Sequence, residues 1–211
     1  MSALIAIFFT YGFLDSSVTG IYFLLCMLTP CLIYGVYFCG KGRKISIPHF
    51  LLILAFLVYL EIVLRIVNMG VIWDISHFGK LLNLDSLNFR PFASFGSISY
   101  FLNILLFIPM GFALPLMAKR YHNLWLTVGS GFLFSLLIEL SQLLNIRCSD
   151  VDDLITNTFG VLLGYALWVL CCRGFKWQKY PRSSLSPREP GVFMLLSFLG
   201  VFFLYNFWLF W

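Results

Sequence analysis

Charge is scarce in this chain. Only 11% of its 211 residues are Asp, Glu, Lys or Arg, against about 25% in soluble domains. So few charges cannot cover a water-facing surface. Metal and disulfide patterns are lacking too. The six cysteines include no C-x-x-C pair. Cys26, Cys31, Cys39, Cys171 and Cys172 lie in or beside apolar stretches, and Cys148 lies in a polar connection. They read as small apolar fillers. His49, His77 and His122 stand singly at segment ends, with no His or Cys at helical spacing. A metal site is therefore not expected, and no cofactor is. P-loop, H-E-x-x-H and nucleophile-elbow patterns are missing. The opening "SALIAIFFTYGFL" has neither a basic start nor an A-x-A site, so a cleaved signal peptide is not expected. This opening stretch reads as an interfacial helix or the start of a broken span.

Apolar side chains are what the chain has in abundance: 61% hydrophobic and 19% aromatic. A spanning helix needs roughly 20 mostly apolar residues. Six segments qualify, at about Val18–Cys39, Pro48–Ile72, Phe95–Ala118, Leu124–Leu144, Asp153–Cys172 and Val192–Trp211. The expected fold is all-α, a polytopic transmembrane bundle of about six spans in one membrane domain over residues 1–211. "WDISHFGKLLNLDSLNFRPF", between spans two and three, is amphipathic and is expected to lie on the outer interface as a short helix followed by a turn.

The basic residues set an orientation. Lys41, Arg43 and Lys44 follow span one; Lys119 and Arg120 follow span three; Arg173, Lys176, Lys179, Arg182 and Arg188 follow span five. Lys and Arg collect in cytoplasmic loops, so both termini are expected outside. The net charge of +5 is thus a topology signal and does not point to nucleic acid.

Ionisable groups inside spans are costly, about 2.5–3.5 kcal/mol each near the centre, and each one asks for a partner or a cavity. Glu61 and Arg65, four apart in span two, can neutralise each other. Glu139 has no basic residue in its own span. Gly131, Ser135, Glu139 and Gln142 form a polar stripe down span four. Counted from Leu124, Glu139 lies roughly 22 Å along its helix, in the outer half. Asn103 and Asn157 fall in the same half. Arg90, Arg147, Asp150 and Asp152 would roof them. Asp153, Asn157, Gly160 and Gly164 share one face of span five, where the glycines permit close helix packing, expected against span four. One aspartate of "DVDD" suffices to cap the helix; the others are expected to pair with Arg147 and Arg90. Pro109 and Pro115 bracket Gly111 in span three, and a kink there would open room beside Asn103.

The runs "NFRPF" (Asn88–Phe92), "NILLFIPMGFALP" (Asn103–Pro115), "IELSQ" (Ile138–Gln142) and R-x-x-D-x-D-D-x-x-x-N-x-x-G-x-x-x-G (Arg147–Gly164) together resemble the VanZ-like family. The resembling core covers about residues 88–170. The resemblance implies a multispan protein of a bacterial cell membrane. It also implies an association with resistance to teicoplanin-type glycopeptide antibiotics, without a molecular mechanism.

Three functional expectations follow. The first is an outward-facing polar pocket that binds or modifies an outer-leaflet lipid, a lipid-linked cell-wall precursor or a lipoglycopeptide. Arg90, Asn103, Glu139, Gln142, Arg147, Asp150, Asp153 and Asn157 would line it, the arginines taking an anionic group. The second is a membrane enzyme acting on a lipid or lipid-linked headgroup, with Glu139, Asp150, Asp152 and Asp153 as candidate acids and bases. The third is a non-catalytic scaffold or partner-binding subunit. Glu61, Arg65, Pro109, Gly160 and Gly164 are read as structural, with Arg65 also a third candidate to hold the anionic group in the first.

Overall fold

With no water in a bilayer core, a spanning segment must satisfy its own backbone, and a helix does so. The computed structural model describes residues 17–42, 46–78, 98–144, 150–175, 186–206 and 208. Its α-helices are α1 (Ser17–Gly40), α2 (Ile47–Ile66), α3 (Asp74–Phe78), α4 (Ile98–Met117), α5 (Leu124–Gln142), α6 (Val151–Phe175) and α7 (Glu189–Leu204), with a 3-10 turn at Lys119–His122. The fold is all-α, a helical membrane bundle. Helices α1, α2, α4, α5 and α6 are long and apolar enough to cross a membrane; α7 is shorter, with 16 residues. The opening stretch before residue 17, the amphipathic connection beyond Phe78, Arg90, Arg147, Cys148 and most of the basic linker after span five lie outside the described residues.

Two boundaries differ from those read in the sequence. Span two was expected to reach Ile72, but α2 stops at Ile66. Asn68 adopts a φ of +50°. Its N–H donates to the Arg65 carbonyl at 3.0 Å, and the Met69 N–H reaches back to Leu64 at 3.4 Å. That paired closure ends a helix, with Asn in the left-handed position that Gly usually takes. The freed chain then crosses the end of α5. Gly70 donates to Ser141 Oγ at 3.1 Å, and a Cβ on Gly70 would lie 1.9 Å from the Ser141 carbonyl oxygen. Span six was expected to run to Trp211; α7 instead ends at Leu204, and Tyr205 beyond it is extended.

Contacts at the two ends show that successive long elements alternate in direction. At one end, here the Asp153 end, Arg65 of α2 donates to the Gly20 carbonyl of α1, Tyr22 of α1 to Leu204 of α7, and Asn103 of α4 to Asp153 of α6. At the other, the His49 end, His49 of α2 meets Glu189 of α7, and Gly191 donates to the Tyr121 hydroxyl. Lys41, Lys119, Arg120 and Arg188 flank helices at the His49 end.

Helices α4 and α6 pack most closely. A Cβ on Gly111 would fall 2.0 Å from the Val161 carbonyl oxygen; one on Gly160 would fall 2.3 Å from that of Ile104, and one on Gly164 2.0 Å from that of Ile108. Each helix thus sets glycine against the backbone of the other. The glycine face expected against span four packs on span three instead. Span four meets α6 through Gly131, which faces the Val161 side chain. Helix α4 remains one helix through Pro109 and Pro115. In the turn before Pro109, the Tyr59 hydroxyl of α2 donates to the Leu106 carbonyl at 2.8 Å, a bond that ties α4 to α2.

Near the Asp153 end, α3 is clamped by the residues after α7. Asp74 accepts from the Val71 N–H at 2.9 Å and from the Trp208 indole at 2.9 Å. The His77 ring stacks on Trp208 with centroids 3.3 Å apart. Burial pushes the Asp74 carboxyl above the ordinary carboxylate range, against the opposing effects of Val71, Trp208 and His77.

The seam and the clamp each make a prediction. Gly164→Ala forces backbone apart and should cost about 1–3 kcal/mol, whereas Gly129→Ala meets nothing within 4 Å and should gain up to about 1 kcal/mol from helix propensity. Thermal unfolding of the two purified variants should shift in opposite directions. For Asp74, a raised folded pKa means that the folded state holds its proton more tightly than the unfolded chain. Its contribution is full below about 4 and is lost as pH rises through the raised value. Asp74→Asn should abolish that part of the pH dependence, seen as a flatter melting-temperature profile between acidic and neutral pH.

Candidate functional site

Of the candidate site residues singled out in the sequence, Asn103, Glu139, Gln142, Asp150, Asp152, Asp153 and Asn157 are described, and they lie toward the Asp153 end, where α6 begins. Asp150 caps α6: its Oδ1 accepts from the Asp152 N–H at 2.9 Å, as an N-cap side chain does. Asp152 and Asp153 occupy the first turn, where negative charge suits the helix dipole. The three aspartates therefore have separate work. Asp150 caps, Asp153 accepts from Asn103 Nδ2 of α4 at 2.5 Å, and Asp152 is buried at 1% exposure. Their expected pairing with Arg147 and Arg90 falls outside the described residues. Among those residues, no group of three or more His, Cys, Asp or Glu is placed to hold a metal ion.

The polar stripe of α5 runs alongside. Ser135, Glu139 and Gln142 are all buried. The Ser135 hydroxyl accepts from Asn157 Nδ2 of α6 at 2.9 Å. One turn on, Glu139 accepts the main-chain N–H of Asp150 at 3.1 Å, so this carboxylate faces the start of α6 and not lipid. One turn further, Gln142 Nε2 donates to the Val67 carbonyl at the end of α2 at 2.7 Å. Four helices thus contribute to one polar column: α2, α4, α5 and α6. Two acceptors in it have no hydrogen-bond donor among the described residues, Gln142 Oε1 and Asn157 Oδ1. A buried polar atom left so costs about 1–3 kcal/mol.

Of the sequence-named residues, Asn103, Glu139, Gln142, Asp150, Asp153 and Asn157 belong to this column. Arg65 does not. It lies 2.5 Å from Glu61, donates to Gly20 and sits over the Phe23 ring, centroid distance 4.7 Å. These contacts commit it to the α1–α2 interface. Pro109, Gly160 and Gly164 belong to the α4–α6 contact described above.

One polar pair went unread in the sequence. His49 Nε2 lies 3.0 and 3.1 Å from the two carboxylate oxygens of Glu189, and both side chains are almost fully buried. The residues are 140 apart, so helical spacing carries no hint of the pair. The available signal was a histidine just inside the start of one span and a glutamate at the start of another, both at the same end. His49→Ala would strand a buried carboxylate and should cost about 3–5 kcal/mol. Glu189→Gln keeps a hydrogen-bonding partner and should cost much less. Melting temperatures of the two variants in one detergent compare them directly.

No curated protein and no solved structure gives a significant match to the chain. A family model described as VanZ/LLP1 matches residues 50–172. That stretch is more than half of the chain and includes α4 and α5 and nearly all of α2 and α6, together with every residue of the polar column. The chain belongs to the VanZ/LLP1 family of membrane proteins.

Proposed function

We propose that the Asp153 end of the bundle faces the outside of a bacterial cell membrane and binds an amphiphile of the outer leaflet. The candidates are a lipid headgroup, a lipid-linked cell-wall precursor and a membrane-anchored lipoglycopeptide. Through that binding the protein contributes to resistance to teicoplanin-type glycopeptides. The orientation rests on the basic residues, which flank helices at the opposite end and which favour the cytoplasmic side of a membrane.

The observation that supports this reading is the polar column that runs past Glu139. Side chains or backbone groups from α2, α4, α5 and α6 contribute to it, at one end of an otherwise apolar bundle. Cross-helix bonds alone account for Asn103–Asp153 and for Asn157–Ser135, which hold helices together. They leave two buried acceptors over. A polar set that exceeds the needs of packing, close to a membrane surface, suits a site for a polar headgroup with its tail in the bilayer. Arg90 and Arg147, placed at the same end by their position in the sequence, would take an anionic phosphate or carboxylate.

The test is teicoplanin susceptibility of a host expressing the wild-type chain, Glu139→Gln or Arg147→Ala at matched membrane abundance. Protection by the wild type and its loss in both variants is expected. Equal protection from all three would remove the pocket from the mechanism. No protection from the wild type would remove the resistance role.

A further inference from the structure

Gln142 Oε1 and Asn157 Oδ1 share an unusual state. Their side chains are buried to 1% and 3% exposure, and neither oxygen has a donor among the described residues. In each amide the nitrogen is already in use, on the Val67 carbonyl for Gln142 and on the Ser135 hydroxyl for Asn157. Turning the Gln142 amide over would set two acceptors against each other at Val67, so its oxygen is fixed. Glu139 lies between Gln142 and Ser135, the partner of Asn157, on one face of α5: positions 135, 139 and 142 fall within about 60° of arc. Its carboxylate brings further lone pairs to the same column. What converges here is acceptor oxygen.

Resting on the headgroup-binding reading above, we propose that this column receives a primary ammonium group, with Gln142 Oε1 and Glu139 as its acceptors. An ammonium has three donors and no acceptor, and its charge complements a carboxylate. It is also compact, which matters beside a side chain as enclosed as Gln142. A trimethylated ammonium carries the same charge but has no N–H and more bulk. A bare phosphate would bring oxygen against oxygen. Asn157 lies deeper: from Gln142 back to its partner Ser135 the α5 axis runs about 10 Å, too far for one ammonium to reach both amides. Gln142 is therefore the residue to alter. Two sources carry the group, the ethanolamine headgroup of a phospholipid and the amine of a soluble molecule.

The experiment uses the full chain in nanodiscs of phosphatidylcholine, alone or with an equal added fraction of phosphatidylethanolamine or phosphatidylglycerol, read by thermal unfolding. Phosphatidylethanolamine should raise the midpoint by about 2–4 °C over the other two lipids. Gln142→Met should remove that increment. A series of mono- and dimethylated phosphatidylethanolamines on the wild type asks the same question without a variant, and the increment should fall as N–H groups are lost. Free ethanolamine added to phosphatidylcholine discs identifies the source: an equal rise there supports a soluble amine, and no rise supports the lipid. Equal midpoints with ethanolamine and choline lipids would overturn the ammonium assignment. If phosphatidylglycerol then raised the midpoint alone, headgroup binding would survive without it. If neither lipid nor free ethanolamine shifted the midpoint, both readings would fall.

Discussion

The contact between α4 and α6 decides where everything else can be. Gly111, Gly160 and Gly164 bring each backbone within reach of a carbonyl oxygen on the other. In a membrane, helices gain little from burying one apolar surface against another, because lipid tails are as apolar as the side chains. Close backbone approach replaces that gain with dispersion, and dispersion falls away within an ångström. Once Gly160 sits against Ile104, the register of the two helices is fixed. Asp153, two turns before Gly160 and toward the end at which α4 also begins, is then held on the α4 side. There it accepts from Asn103 at 2.5 Å. Asp150, three residues earlier, meets Glu139.

Local relations were readable in the sequence, and distant ones were not. Glu61 and Arg65 stand one helical turn apart, so their 2.5 Å contact follows from periodicity alone. The face of span five was likewise plain, since Asp153, Asn157, Gly160 and Gly164 recur at helical spacing. The neighbour that face meets is a different matter. Periodicity orders residues on one helix and is silent about adjacency, so the glycines were set against span four when they lie on span three. His49 and Glu189 escaped for the same reason. The early end of α2 was legible in principle, because Asn68 is a residue type that tolerates the left-handed conformation. The apolar residues "VIW" beyond it outweighed that signal. Arg90 and Arg147 lie outside the described residues, so that part of the expected site rests on sequence alone.

The two ends of the bundle handle buried polarity differently. At the His49 end one imidazole nitrogen meets both oxygens of one carboxylate, and the Tyr121 hydroxyl takes the N–H of Gly191. These contacts join helix starts that basic flanks keep close to the surface, and they read as fasteners. At the Asp153 end the polar groups are more numerous and come from four helices. Fastening explains part of them: Asn157 to Ser135, Asn103 to Asp153, Gln142 to Val67.

What fastening does not explain is the choice of residue. An apolar pair of matching shape can hold two helices without any desolvation cost, and a single donor can tether a carbonyl without carrying a spare oxygen. Gln142 and Asn157 each tether with nitrogen and leave an acceptor in a place where burial penalises it. A serine at Ser135 already shows that a smaller polar group fits this interface. Bearing that penalty at Gln142, one turn from a buried glutamate, makes physical sense if a donor from outside the chain removes it, and the stability recovered then becomes binding free energy. That is why the proposed site is drawn around the surplus oxygens more than around the conspicuous charges of the aspartate cluster.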